Sequence, residues 1–316
     1  MLFGNYFFSC ELQDDAILPP YKGSTFRGIF GHALKKVVCA LKKEECTECL
    51  LKEKCVYAFV FDTPEKDDQP SHHKRIASPP HPYVIEPPET SKTFFPKGAC
   101  FDFNLLLFGK ANDYLPYFIY AFDQIGNLGI GKWINGTRGT FLLNKVSLNN
   151  QPVYSGEDKK IKGNYKPDDL ALDDFSPSEH ASIRTLTITL ITPLRLKFQN
   201  KLEASLPFHI LARAMLRRIS SLFNYHGDGE PPLDYKGLIE KARSVEVNQS
   251  SLHWYDWRRY SNKQDQEMLM GGIVGEVTYE GDFTEFMPLL KFCEKAHLGK
   301  QTSFGLGKIL ITGTEP

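Results

Sequence analysis

The sequence has no apolar run of membrane-spanning length. It has no excess charge of either sign either: 38 lysines and arginines face 38 aspartates and glutamates. Chains that bind nucleic acid are often basic overall, so neutrality counts against a uniformly basic RNA coat. It leaves room for a local patch, because binding responds to clustered charge. The opening MLFGNYFFSC carries no basic residue and turns acidic at Glu11, unlike a secretory signal. These absences argue against a helical membrane protein and lead to an expected cytoplasmic location with no membrane partner. In that reducing setting, the seven cysteines point to metal ligands or free thiols rather than disulfides.

The charge that is present is unevenly placed. Eight of eleven arginines follow residue 180: Arg184, Arg195, Arg213, Arg217, Arg218, Arg243, Arg258 and Arg259. Acid gathers in ELQDD (11–15) and in KPDDLALDDFSPSEH (166–180). A length of 316 residues is enough for two domains with their own cores.

Periodicity divides the chain into two similar halves. LFGNYFFSCEL (2–12) reads as a strand. STFRGIFGHALKKVVCAL (24–41) has helical spacing, with Phe26, Ile29, Phe30, Ala33, Leu34, Val37 and Val38 on one broad face. CVYAFVF (55–61) and CFDFNLLLF (100–108) read as strands. DYLPYFIYAFDQIG (113–126) reads as a helix with Pro116 in its first turn. Clustered glycines in GNLGIGKWINGTRG (126–139) precede the strand FLLNKVSL (141–148). The second half repeats this order. A strand-rich stretch (182–198) leads to the amphipathic helix LPFHILARAMLRRISSLF (206–223). The hairpin strands SLHWYDWRRY (251–260) and GGIVGEVTYE (271–280) follow, then the helix FTEFMPLLKFCEKA (283–296), HLGKQTSFGLGK and KILIT.

Both halves therefore predict an α+β chain of two tandem ferredoxin-like (RRM-like, βαββαβ) domains. The expected boundaries are 1–153, an acidic linker at 154–180, and 181–316. A cysteine-rich insert interrupts the first domain at about 39–55. Cys39, Cys46, Cys49 and Cys55 follow the pattern C-x6-C-x2-C-x5-C, and four thiolates can satisfy a tetrahedral ion. Structural zinc is the leading reading. An iron–sulfur cluster and free or disulfide-linked thiols are the alternatives. Cys10, Cys100 and Cys293 lie in apolar segments and read as packing residues.

HLGKQTSFGLGK (297–308) carries the clearest site signal. Glycines allow positive φ and close backbone approach to a phosphate. His297 begins the loop, with Lys300 three residues on and Lys308 at its end. In WYDWRRY, alternation would put Trp254, Asp256, Arg258 and Tyr260 on one strand face, and His253, Tyr255, Trp257 and Arg259 on the other. Aromatic rings can stack on bases, and arginines can bind phosphate bidentately. On the helix of the second half, Arg213, Arg217 and Arg218 suit a solvated face as well as an RNA-binding one.

Several stretches resemble the CRISPR-associated endoribonucleases that process precursor CRISPR RNA. This is the sixth Cas family, within the RAMP superfamily, and the likeness is to a branch with a four-cysteine insert. The stretches are YKGSTFRGIFGHALKK, the cysteine insert running into CVYAFVF, WYDWRRYSNKQ with GGIVGEVTYEGDFTEFMPLL, and HLGKQTSFGLGK. The resemblance implies two ferredoxin-like domains, a glycine-rich loop against RNA, and cutting within CRISPR repeats without a catalytic metal or other cofactor. The RNA's own 2′-OH would be the nucleophile, leaving 2′,3′-cyclic phosphate and 5′-OH ends.

Such chemistry needs a base, an acid and positive charge near the phosphate. His297 is the first candidate for proton transfer, since imidazole titrates near neutrality. The resemblance places His32, beside Lys35 and Lys36, as the second. Tyr260 would orient a catalytic group. Gly299, Lys300, Gly305, Gly307, Lys308, Arg258, Arg259, Lys35 and Lys36 are the expected RNA-binding residues. CRISPR repeat RNA is the expected partner, with subunits of a CRISPR effector complex as further partners. Two competing readings are a non-catalytic RAMP RNA-binding subunit of such a complex and a metal-stabilised interaction protein unrelated to RNA.

Overall fold

The computed structural model describes residues 1–42, 45–46, 48–63, 79–163, 165–175, 183–196, 204–261 and 266–314; the side chains of 258–261, 266–269 and 314 are outside this set. The chain divides into two compact units, Met1–Asp169 with Tyr225–Gly227, and Leu170–Asn224 with Asp228–Pro316. Among the described residues no helix is long and apolar enough to cross a membrane.

The first unit runs through β1 (Leu2–Leu12), α1 (Gly23–Val38), α2 (Val56–Phe61), β2 (Tyr83–Glu86), β3 (Cys100–Phe108) and α3 (Leu115–Leu128). A hairpin of β4 (Ile130–Ile134) and β5 (Thr137–Gly139) follows, then β6 (Phe141–Leu148) and β7 (Gln151–Ser155). The sheet order is β7–β6–β1–β3–β2, antiparallel throughout. Counting only the four βαββαβ strands, this is fourth–first–third–second, the expected ferredoxin-like order.

Period-two burial on β1 turns Tyr6, Phe8, Cys10 and Leu12 into the core. Helical spacing on α1 buries Phe26, Phe30, Ala33 and Leu34. The two patterns meet in an aromatic stack. Phe30 lies flat on Phe122 of α3 at 5.0 Å, and Phe8 stacks on Phe103 at 4.7 Å. Removing a core ring such as Phe30 would cost about 3–5 kcal/mol.

Two expectations change here. CVYAFVF is not a strand: Val56–Phe61 is a helix. Aromatic and β-branched residues favour strands only weakly, and packing overrides them. Tyr57 and Phe61, one turn apart, stack at 5.0 Å, while Ala58 and Val60 are buried. The acidic stretch 154–180 is also not simply a linker. Gln151–Ser155 extends the first sheet, Lys160–Ile161 pairs with it, and Asp168–Asp169 pairs with β1. The division between units falls at Asp169 and Leu170.

The second unit contains β8 (Thr185–Leu194), α4 (Phe208–His226), α5 (Tyr235–Ala242), β9 (Glu246–Ser250), β10 (His253–Ser261), β11 (Gln266–Glu280), α6 (Met287–Ala296) and β12 (Ile309–Thr314). Its sheet order is β9–β11–β8–β12, with β10 also paired to β11. Phe208 of α4 packs edge-on against Tyr279, Phe283 and Phe286 at 5.0–5.3 Å. The helix α5 stood out in no sequence pattern. Asp234 caps it by accepting from the Gly237 N–H at 2.9 Å.

Candidate nucleic-acid interface

On α1 the apolar face is used by the core, so its opposite side is free to carry polar residues. His32 and Lys36, one turn apart, are both exposed. Lys35 is half-buried, with its ammonium 5.6 Å from the centre of the Tyr57 ring. The neighbouring Cys46, with Tyr57 and Cys39, holds the Lys35 pKa above its usual value. One turn before His32 lies Gly28, exposed, where an added Cβ would meet nothing within 4 Å. Packing does not account for a glycine there, and a helix-interior glycine costs up to about 1 kcal/mol relative to alanine. It leaves a bare patch of backbone beside His32. Earlier in the helix, Arg27 donates from Nη2 toward His81 Nε2 at 3.3 Å. His81 lies just before β2.

The hairpin β4–β5 is the second exposed feature. Asn135 and Gly136, both at positive φ, form the two-residue turn that Asn-Gly favours. Trp133 is 66% exposed, and the Arg138 guanidinium sits 5.1 Å from its ring centre. Lys132 beside it is exposed. The Arg138 Nε is buried without a hydrogen-bond partner. An open indole with a guanidinium and an ammonium is suited to stacking a base and meeting its phosphate. These residues were read only as part of a glycine cluster. The Asn-Gly dipeptide within KWINGTR was the signal that could have revealed a hairpin tip.

The loop His297–Lys308 of the second unit is arranged differently. His297, the first candidate for contact with RNA, lies in the interior at 0% exposure. Its Nδ1 donates to the Leu306 carbonyl at 3.0 Å, since a carbonyl can only accept. The Arg218 guanidinium donates to the carbonyls of Ala296 and His297, closing the end of α6. Arg218 is itself buried, and burial lowers its pKa to about 10. It is therefore a helix-closing residue here, whereas Arg213 and Arg217 are exposed.

The His297 backbone has φ 57° and ψ 159°, a region nearly restricted to glycine. An L-residue persists there only when its surroundings hold it, so the imidazole acts as a clasp across the loop. The Leu298 N–H donates to Gly307 O at 2.9 Å, the Lys300 N–H to Arg195 O at 2.9 Å, and the Gly307 N–H to Pro193 O at 3.1 Å. These amides are committed within the unit rather than presented to an anion. Gly305 and Gly307 are buried, and a Cβ on Gly307 would lie 1.8 Å from Leu298 O. Gly299 and Lys308 are half-buried, and Lys300 is exposed. Of the loop residues expected at RNA, Lys300 is the one that solvent fully reaches.

On β10, Trp254 donates from Nε1 to Asp256 Oδ1 at 2.7 Å, and Tyr255 stacks with Trp257 at 5.8 Å. The two faces separate as strand alternation requires. Arg258, Arg259 and Tyr260 continue this strand, opposite Leu269, Met268 and Glu267, and their side chains lie outside the described set.

The four insert cysteines line one recess together with Leu41, Lys52, Tyr57 and Ala58. Among the described residues, no three Cys, His, Asp or Glu side chains already stand together as a metal-binding group.

Comparison with known proteins gives two family matches. Residues 188–309 match the model of the CRISPR-associated endoribonuclease Cas6. Residues 1–166 match a family described as an N-terminal domain, AF_1859_N. An uncharacterized protein of Archaeoglobus fulgidus is 26% identical over 294 residues, covering 92% of this chain and 91% of its own. A chain of a partial Cas6–RT–Cas1–Cas2 complex matches with a TM-score of 0.63 at 11% identity, over 99% of this chain. This chain spans only 46% of that one. A Cas6 product complex matches with a TM-score of 0.57 at 14% identity, over 98% of this chain and 100% of the other. The Cas6 of Thermus thermophilus gives 0.53 at 12% identity, over 98% of both chains. At these identities the structural likeness shows the fold alone.

Proposed function

The chain belongs to the Cas6 family of CRISPR-associated endoribonucleases, and we propose that it cuts precursor CRISPR RNA within the repeats by attack of the RNA's own 2′-OH. The match of residues 188–309 to the Cas6 endoribonuclease model carries this reading. In the reaction a bond forms between the 2′-oxygen and the phosphorus while the bond from phosphorus to the 5′-oxygen breaks. A base takes the 2′-OH proton and an acid returns a proton to the departing 5′-oxygen. The products are a 2′,3′-cyclic phosphate and a 5′-OH end. The nucleophile is already tethered beside the phosphate, so proximity supplies much of the rate.

His32 is the residue we assign to one proton transfer. Its exposure on α1 beside Lys36 and the bare Gly28 supports this role. Tyr260 is kept as the second group of the reaction, and Arg258, Arg259, Lys35, Lys36 and Lys300 as phosphate contacts. The enclosure of His297 supports a positioning role, shaping the loop that presents Lys300. We extend the expected partners, repeat RNA and the subunits of a CRISPR complex, to this chain on family membership.

The test uses end-labelled repeat RNA with the full chain in EDTA. A single cut that disappears with a 2′-deoxy sugar at the scissile nucleotide is expected. Cutting of the deoxy substrate at full rate would overturn the mechanism. One observation favours the competing reading of a non-catalytic RNA-binding subunit, namely that His297 is closed to solvent. That reading predicts tight binding of repeat RNA with no cut in any condition.

A further inference from the structure

We infer that Cys39, Cys46, Cys49 and Cys55 form a four-thiolate site for a structural zinc ion that closes the insert onto the end of α1. The first support is convergence. Cysteines spread over residues 39–55 line a single recess, and none is in a disulfide. Three of them also sit at junctions of the backbone. Cys39 ends α1, with its N–H donating to Lys35 O at 3.0 Å. The Cys49 carbonyl accepts from the Lys52 N–H at 3.0 Å as the short turn Lys52–Lys54 begins. Cys55 starts α2, its carbonyl accepting from the Phe59 N–H at 2.9 Å.

The second support is the missing core. The turn Lys52–Lys54 buries none of its residues, and Leu50 is 88% exposed, with Leu41 and Leu51 also open. A segment this short with no apolar burial needs a staple to hold its turns. Zinc held by thiolates supplies one, because ligand binding and local folding become a single event.

Lys35 lies beside Cys46, and Lys52 lines the recess. The thiols do not yet stand as a coordination shell. They share one recess, and a bound zinc ion would hold them at roughly 2.3 Å. The zinc-closed insert would fix the last turn of α1, with Lys35 one turn before Cys39 and His32 one turn before Lys36. This consequence for His32 rests on the function proposed above; metal binding itself does not.

The test begins with the full chain purified under reducing conditions. Elemental analysis should find one zinc per chain. Cobalt(II) in its place should give the thiolate-to-metal charge-transfer absorption of a tetrahedral sulfur site. Cys46→Ser with Cys49→Ser should lose the metal and lower the melting temperature. Should that variant fail to fold, cobalt titration of the unaltered chain still decides the matter. Cys100→Ser, outside the recess, should keep its zinc. A reduced chain with no zinc and no cobalt–thiolate band would overturn the proposal. So would a brown, iron-containing chain, insert disulfides in peptide mapping, or loss of zinc in Cys100→Ser. Repeat-RNA cleavage measured separately on zinc-loaded chain distinguishes failure of the functional reading from failure of this one.

Discussion

Gly129–Gly139 in the first unit and His297–Lys308 in the second occupy the same place, between the last helix and the last βαββαβ strand. Both are glycine-rich, yet they use their polar groups in opposite ways. The first stands out as a hairpin, with Trp133 open and Arg138 beside it. The second folds inward, with several amides bonded to Pro193, Arg195 and Gly307 and its histidine enclosed. The difference teaches that glycine content marks where a backbone turns sharply without saying what it turns toward. The same contrast separates the two histidines: His32 is open on α1, and His297 is a clasp.

The largest effect should come from the open histidine. His32→Ala should slow repeat-RNA cleavage by about 10²–10⁴-fold, the usual worth of a general acid or base. RNA affinity and melting temperature should stay close to wild type. Unchanged single-turnover cleavage would remove His32 from the chemistry. The enclosed histidine should show the converse. His297→Ala should cost about 2–4 kcal/mol of stability in denaturant unfolding, through a lost buried ring and its hydrogen bond. His297→Gly should recover roughly 1 kcal/mol of that, because glycine adopts the left-handed backbone without strain. Full stability with abolished cleavage would put the ring at the RNA and break the comparison.

The hairpin tip sharpens it further. Trp133→Ala should weaken RNA binding by about 1–3 kcal/mol, the range for one stacked base. The salt dependence of that binding should be nearly unaltered. Lys300→Ala should instead reduce the salt slope by about 1, as for one phosphate contact. Equal behaviour of the two variants would erase the proposed distinction between stacking and charge. The smallest effect concerns Gly28. Gly28→Ala should raise stability by up to about 1 kcal/mol, since its Cβ meets open space. If RNA lies along this face, cleavage should fall while stability rises. A gain in both would show that the bare patch serves no ligand.

Much of the fold was legible in the residues because two periods recur in order. Tyr6, Phe8, Cys10 and Leu12 alternate, while Phe26, Phe30, Ala33 and Leu34 follow the helical repeat. Where a segment is short and apolar, both periods fit it. CVYAFVF became a helix once Tyr57 and Phe61 could stack on one side. The acidic stretch was legible as a break but not as sheet, because Asp168–Asp169 pairs through backbone groups that composition does not reveal. For the candidate site, residue type named the groups but not their exposure. A histidine beside glycines reads the same whether its ring faces solvent or, as with His297, donates to Leu306 inside.

By itself the sequence determined the first and last strands and the two main helices of each unit, and the positions of the histidines, lysines and cysteines along the chain; the second strand of the first sheet, Tyr83–Glu86, was not legible in it. Those follow from local periodicity and composition, which act over a few residues. Only the tertiary structure decided which of these groups are open. Exposure depends on partners far apart in sequence: Arg218 closing the end of α6, and Arg195 and Pro193 accepting from the glycine loop. The recess that gathers four cysteines likewise lies where the insert runs from the end of α1, at Cys39, to the start of α2, at Cys55.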